Sequence, residues 1–406
     1  MRVLQYGVAS CLAVPLLLPH LGQRMLALIV ALIPFGGMQW PIILAAVTVV
    51  LFGCAYRRFG STWPVQAFAC TALAYALLVS FSSADGNSMA LLLALSLLAG
   101  CCAGLLIADN ELARDGLVCI FIVEALYVVV VHFLEGSSFH SGHVSRATGQ
   151  FSSPYHLFMP LLVGAVLCLD RWCQSQSKRA TVLWLCGLGV LFIAVYAVAF
   201  RGLALALLGS GVSLVVGTPV SLTRRFVAVV ALSTLVASIF MLRTSDSASS
   251  AATRGSDKSR VELAAQAVSS LAESFPIGRG IGNLQYAIAS QASGNNKNNS
   301  RSYMMATPKN LYLQTLAETG VIGFLLLCSG VCFVVSEFRN QRDHRHRTLL
   351  VILLGVCIAG CVDTPVGSSA PAINNTIFAL IMTMLLVTHQ RRRVADNGSG
   401  QLIEAT

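Results

Sequence analysis

From residue 3 to residue 389 the chain alternates between long apolar runs and short polar breaks. The runs fall at 3–19, 24–36, 38–56, 65–82, 89–107, 116–134, 156–169, 182–200, 202–218, 226–243, 314–336, 348–362 and 376–389. Most approach the roughly 17–25 residues that a helix needs to cross the hydrocarbon core of a bilayer. Inside lipid every backbone N–H and C=O must find a partner within its own segment, and continuous apolar runs of this length do so as helices. The pattern predicts an all-α fold, a polytopic helical membrane bundle of about 12 (12–13) transmembrane helices. The count is twelve if 24–36, which is short and lies next to the breakers Gly36, Gly37 and Pro41, is a half-span or joins a neighbour.

One polar break is far longer than the rest, at about 244–313. It divides the chain into an N-terminal transmembrane bundle (1–243), the long loop (244–313), C-terminal transmembrane helices (314–390) and a tail (391–406). The loop opens with RTSDSASSAATRGSDK, small and polar, which predicts a mobile stretch. Ser259 and Glu262 then have the spacing of a capping box. Behind them Val261, Ala264, Val268, Leu271 and Phe275 recur at helical spacing, with polar Glu262, Gln266, Ser269 and Glu273 between. This predicts an amphipathic helix over 260–274 lying on the membrane surface, apolar face down, ended by Pro276 and Gly278. PIGRGIGNLQY follows, and its alternating glycines read either as a turn or as a run of backbone N–H groups offered to an anion. Residues 291–302 read as a flexible tip.

Composition agrees with a membrane fold. Hydrophobic residues make up 56% of the chain and charged residues 11%, against about 25% charged in soluble domains. The net charge of +10 does not point to nucleic acid, because the cations sit in short clusters between apolar runs. Arg57 and Arg58, then Arg171, Lys178 and Arg179, then Arg224 and Arg225, then Arg339, Arg342, Arg345 and Arg347, then Arg391, Arg392 and Arg393 mark every second connection. Basic short loops face the cytoplasm. The tail is then cytoplasmic, and the loops 135–155 and 244–313 lie on the outer side. The thirteen cysteines fall almost entirely inside apolar runs and read as small packing residues. Arg2 and the apolar run after it look like a signal peptide, but no cleavage site follows, so a retained first helix is expected.

The chemistry-bearing residues gather at outer helix boundaries. TPKNLYLQTLAETGVIG (307–323) packs Lys309, Asn310, Tyr312 and Glu318 into the entrance of a span. Arg201 stands alone between two apolar runs, where a cation is costly unless it has a partner; the simpler reading is a side chain snorkelling to the interface. Arg260 also reads as a solvated helix start, and Lys309 as a lipid-headgroup contact. Glu124, within FIVEALYVVVV, reads equally as a structural ion-pair partner or a functional acid. His140 and His143 read as loop residues rather than a metal pair, and no DxD motif is present.

Three stretches, taken in order, resemble the O-antigen ligases and the related O-antigen and exopolysaccharide polymerases. Ala147-Thr148-Gly149-Gln150-Phe151-Ser152-Ser153-Pro154-Tyr155-His156 is similar to that family's GTFxNPN. Arg201-Gly202 is similar to its SRG. Arg260, Pro276 through Asn283, and Asn310 through Gly320 together resemble R…PxxGxGxxN…HNxYLxxxxETG. The likeness covers about 140–390. One position departs: Lys309 stands where the family usually has histidine. Lysine binds phosphate as a point charge, whereas a role that needs neutral imidazole is in question here.

The resemblance implies a glycosyltransferase of the bacterial inner membrane. It would move a glycan from undecaprenyl pyrophosphate to an acceptor hydroxyl at the periplasmic face, without cofactor or metal. It further implies Arg201, Arg260, Lys309 and Glu318 as catalytic residues, with Arg146, Arg279, Gly280, Asn283, Asn310 and Tyr312 binding substrate. Glu318 would accept a proton or neutralise an arginine. The partners implied are the lipid-linked donor, a glycan or lipid A-core acceptor, the bilayer and other polysaccharide-assembly proteins. The Lys309 departure tilts the reading towards a polymerase over a ligase. A protein O-oligosaccharyltransferase, a transporter and a membrane scaffold are the alternatives; against the transporter stand the sparse intramembrane charge and the lack of an internal repeat.

Overall fold

The computed structural model of the chain describes residues 87–108, 110–134, 154–219, 221–249, 251–280, 309–340, 343–366 and 372–403, with isolated positions at 48, 52, 55, 65, 66 and 284. Ten α-helices lie among them: α1 (Asn87–Ile107), α2 (Glu111–Leu134), α3 (Phe158–Gln174), α4 (Lys178–Val198), α5 (Arg201–Gly217), α6 (Leu222–Ser249), α7 (Ala251–Ser274), α8 (Leu311–Asn340), α9 (His344–Gly360) and α10 (Ala372–Ile403). A single 3-10 turn, Pro154–Leu157, leads into α3. The described residues contain no strand. Each of the nine apolar runs predicted from residue 89 onward coincides with a helix. The four earlier runs fall outside the described residues, save for the isolated positions. Among the described residues six helices are long and apolar enough to cross a membrane, namely α2, α3, α4, α6, α8 and α10, while α1 and α5 contribute shorter apolar stretches.

Local chemistry sets the helix ends. The Ser177 hydroxyl accepts from Ala180 N at 3.1 Å and starts α4. Ala199, in the left-handed region at φ 48°, stops it. Only Phe200 then separates that stop from α5. Asp343 caps α9 through Arg345 N.

The helices run up and down, so alternate connections share an end. At one end Arg347 donates to Gly217 O (2.9 Å) and Arg224 to Cys173 O (3.2 Å). There Arg171 pairs with Asp115 and Arg345 with Glu111. This is the arginine-rich end. The other end gathers Tyr155, Phe200, Lys309 and Asp363.

Between the ends α3 is the central rod: every residue from Phe158 to Asp170 is buried. A helix apolar on all sides belongs inside a bundle. α8 is peripheral, with Ile322, Leu325 and Leu326 exposed, as expected of a lipid-facing surface. α1 lies tightly on α10. A methyl group on Gly104 would lie 2.7 Å from Leu380 O, and Gly100 repeats the contact one turn earlier, the small-xxx-small packing of membrane helices. The ten cysteines among the described residues are free thiols.

The loop departs from the sequence expectation in one respect. The polar stretch before the Ser259–Glu262 box is helical, since α6 continues to Ser249 and α7 begins at Ala251. That stretch contains one glycine, no proline and several alanines, so nothing breaks the helix, and Ser259 lies inside it rather than at its start. Against the protein α7 turns a face other than the predicted stripe. Leu263, Ala267 and Ser270 are buried; Leu263 and Ala267 cluster with Ala317 of α8 and with Leu284. Val268 and Phe275, from the predicted stripe, are exposed together with Ile277.

Candidate functional site

Two constructions dominate the end away from the arginines. The first is a clasp between the segment after α7 and a break in α8. Gly320 sits inside α8 at φ 65°, ψ −163°, outside helical space. In an unbroken helix Val321 N–H would donate to Ala317 O; here it donates to Pro276 O at 3.0 Å. In return Ala317 O accepts from Arg279 N (3.0 Å) and Glu318 O from Gly280 N (2.8 Å). The backbones approach too closely for side chains. A methyl group on Gly278 would lie 2.7 Å from Glu318 O, and one on Gly320 would collide with Pro276 O. Gly278, Gly280 and Gly320 all have positive φ, which glycine adopts without steric cost. The two glycine-bearing motifs of the sequence are therefore halves of one joint. The glycine run serves as a turn, and the N–H groups of Arg279 and Gly280 are given to α8 rather than offered to an anion.

The second construction is the junction of α3, α5, α8, α9 and α10. Asn310 is the cap of α8: its Oδ1 accepts from Leu313 N at 2.9 Å, and its Nδ2 donates to Cys361 O at 3.0 Å. Leu311 N donates to Asp363 O (3.1 Å) and the Tyr312 hydroxyl to Cys357 O (2.9 Å). Asn310 and Tyr312 thus fix the start of α8 against the end of α9. Asn374 of α10 ties in α3, donating to Tyr155 O (2.9 Å) and accepting from Met159 N (3.3 Å).

Lys309 precedes the cap in the left-handed region, at φ 50°. That conformation costs a residue with a side chain about 1–2 kcal/mol. It lays the ammonium 4.1 Å from the centre of the Tyr155 ring. Tyr155 meets Phe200 edge to face at 4.9 Å, and Arg201 follows Phe200. Lys309 thus reaches, through one aromatic pair, the residue that precedes Arg201 in the chain.

Arg201 is the first residue of α5. A cation at a helix N-terminus opposes the dipole preference, so guanidinium and helix dipole add to one positive potential. The guanidinium lies over Phe240 at 5.5 Å. Its Nε is buried and has no hydrogen-bond partner among the described residues. Gly202 abuts Asp363, where a methyl group would lie 3.4 Å from the Asp363 Cβ.

Glu318 is buried, accepts from Gln314 Nε2 at 3.1 Å, and lies directly before the Gly320 break. Arg279 turns towards α7 instead, pairing with Glu273 and donating to Ser270 O. Arg260 is on α7 with its side chain outside the described residues, and Arg146 and Asn283 lie outside them altogether. Glu124 is half-buried on α2.

Asp363 and Asn374 were not singled out from the sequence. Asp363 carried a usable signal, an acid closing the apolar run 348–362 just before Pro365. Asn374 makes both of its contacts across more than 200 residues, which local reading does not reach. A cavity of about 200 Å³ lies elsewhere, at the arginine-rich end among Glu111, Arg114, Asp115, Asp170 and Arg345. It does not mark the junction, whose flanking segments 135–153 and 285–308 are outside the described residues.

No curated protein matches the chain. The family comparison does find one. Residues 163–328, from α3 through the Gly320 clasp and into the middle of α8, match the family model for O-antigen ligase.

Proposed function

We propose that this protein is a membrane glycosyltransferase of surface-polysaccharide synthesis, with undecaprenyl pyrophosphate as the carrier of its donor glycan and the periplasmic face as its place of action. The observation that carries the reading is Arg201: a guanidinium at a helix start, with a buried Nε–H lacking a hydrogen-bond partner among the described residues, while Lys309 lies over Tyr155, whose ring packs on Phe200, the residue before Arg201. Such a place suits an anion that arrives with substrate.

The reaction breaks the bond between the anomeric carbon and the pyrophosphate oxygen. The acceptor oxygen bonds to that carbon, the electron pair leaves with the pyrophosphate, and the acceptor proton passes to a base. Charge grows on the leaving oxygen, and prearranged cations lower the barrier by meeting it there. Arg201 offers a planar fork to phosphate oxygens and Lys309 a point charge. At an effective dielectric of 20, a full charge about 4 Å away is worth about 4 kcal/mol before desolvation. Glu318 takes the acceptor proton or holds the cations in place. Arg260 and Arg146 serve as further phosphate contacts, and Arg279 and Asn283 as contacts at the loop. The exposed Val268, Phe275 and Ile277 set the end of α7 into the membrane surface where the lipid-linked donor arrives.

Lys309, in place of the family's usual histidine, favours extension of a lipid-linked repeat over transfer to lipid A-core; protein hydroxyls are the third acceptor class. Purified protein given a synthetic polyprenyl-pyrophosphate oligosaccharide should release polyprenyl pyrophosphate and transfer the glycan. Movement of the lipid-linked sugar without bond cleavage would replace the enzyme with a transporter. Gene deletion followed by electrophoresis of the surface glycan separates the acceptors: a single capping repeat means polymerase, and free polymer with bare core means ligase.

A further inference from the structure

The arginine-rich end holds a side-chain cluster that the transferase reading does not use. Glu337 near the end of α8, His346 in the first turn of α9 and His389 on α10 each turn one ligand atom to a common point, all within 4.8 Å of one another. His346 Nε2 lies 3.7 Å from Glu337 Oε2, and His389 Nδ1 lies 3.5 Å from the same oxygen. A tetrahedral zinc ion with bonds of about 2.0–2.1 Å holds its ligand atoms about 3.3–3.4 Å apart. The two contacts to Glu337 exceed that spacing by only a few tenths of an ångström, and the two imidazoles, whose ligand atoms are within 4.8 Å of one another, would draw together as the ion binds.

The surroundings of His346 fit a ligand. The ring is buried, and its Nδ1 meets Thr388 Oγ1 at 3.0 Å. That hydroxyl has one proton, which it gives to α10 through Met384 O or Leu385 O. Towards His346 it is therefore an acceptor, Nδ1 carries the hydrogen, and the lone pair of the neutral ring is on Nε2, facing Glu337. A hydrogen-bonded partner on the far nitrogen is the usual support of a metal-bound imidazole.

We propose that Glu337, His346 and His389 bind one divalent first-row transition ion, zinc above all, with water as the fourth ligand, and that the ion pins α8, α9 and α10 together at the arginine-rich end. Two imidazoles and one carboxylate suit zinc and its neighbours better than magnesium or calcium, which prefer all-oxygen sites. The site is separate from the junction at the other end and has a structural part, so it stands or falls independently of the transferase reading.

The test uses the full chain in detergent, purified without a histidine tag and stripped with chelator. Titration with Zn²⁺ should show one equivalent bound at micromolar concentration or tighter, and Co²⁺ should give the intense visible bands of a four-coordinate ion. Bound Zn²⁺ should raise the melting temperature. His389→Ala and the isosteric Glu337→Gln should each weaken binding at least tenfold and remove the thermal shift, while His140→Ala/His143→Ala should change neither. No saturable uptake by the wild-type chain, or uptake that survives both His389→Ala and Glu337→Gln, overturns the proposal and leaves two histidines sharing one carboxylate.

Discussion

The two ends of the bundle hold positive charge differently. At the arginine-rich end cations meet acceptors: Arg171 pairs with Asp115 and Arg345 with Glu111, while Arg224, Arg225 and Arg347 donate to backbone carbonyls, two of them also lying over the rings of Trp172 and Phe338. At the other end Arg201 and Lys309 lie over the rings of Phe240 and Tyr155 and make no ion pair with any described residue. A cation matched by a neighbouring acid is neutralised and serves the fold. A cation set against a ring with neither a carboxylate nor a carbonyl bonded to it keeps most of its charge for something else, at a cost in self-energy. Lys309 adds backbone strain to that cost and Arg201 an unfavourable helix dipole. Local expense of this kind persists where the rest of the fold enforces it, and it concentrates at working sites.

The sharpest way to break the contrast is to remove the charge at each end. Arg201→Ala should lower glycan transfer at least about 100-fold, the scale of losing one prearranged transition-state donor, with normal amounts of protein in the membrane. Full activity in that variant removes the assignment. Arg260→Ala should behave alike, and Lys309→Ala should fall in the same range with partial return in Lys309→Arg, all read as release of polyprenyl pyrophosphate.

The clasp comes next in size. Gly320→Ala forces a side chain into positive φ and against Pro276 O. It should destabilise the protein by about 2 kcal/mol or more, visible as a lower melting temperature and as faster proteolysis between α7 and α8. Asn310→Ala loses the α8 cap and should cost about 1 kcal/mol; Tyr312→Phe, which loses one hydrogen bond, should cost about 0.5–1.5 kcal/mol. At the arginine-rich end Arg345→Ala breaks a pair with both partners exposed. Such pairs are worth about 0–1 kcal/mol, so transfer and melting should barely move. A large loss of activity there would erase the distinction between the ends.

Much of the scaffold was legible because lipid leaves the chain few options. Apolar length alone located nine helices within about six residues, save at the far end of α10, which runs on through the predicted tail to Ile403. The site was legible in pieces: Arg201, Lys309, Asn310, Tyr312 and Glu318 announced themselves as polar groups at span boundaries. What joins them was not. The Gly278–Gly320 clasp is made by backbone atoms 40 residues apart, so its glycines look like any turn when read locally. The pairing of Asn374 with Tyr155 and of Asp363 with Gly202 depends on which helices become neighbours. The face of α7 that meets α8 was not legible either: Leu263 and Ala267 lie beside the predicted stripe, and their contact with Ala317 depends on which helices become neighbours.

The break at Gly320 also decides how firmly the outer segment is moored. Arg279, Gly280 and Pro276 lend their amides and carbonyl to a helix rimmed by hydrocarbon, where water is scarce. If that segment peeled away, the exposed carbonyls would find no substitute partners in lipid, at several kcal/mol for each. Whatever tugs on the strand beyond α7 therefore tugs on the peptide bonds of Ala317 and Glu318, and through them on the buried carboxyl group next door.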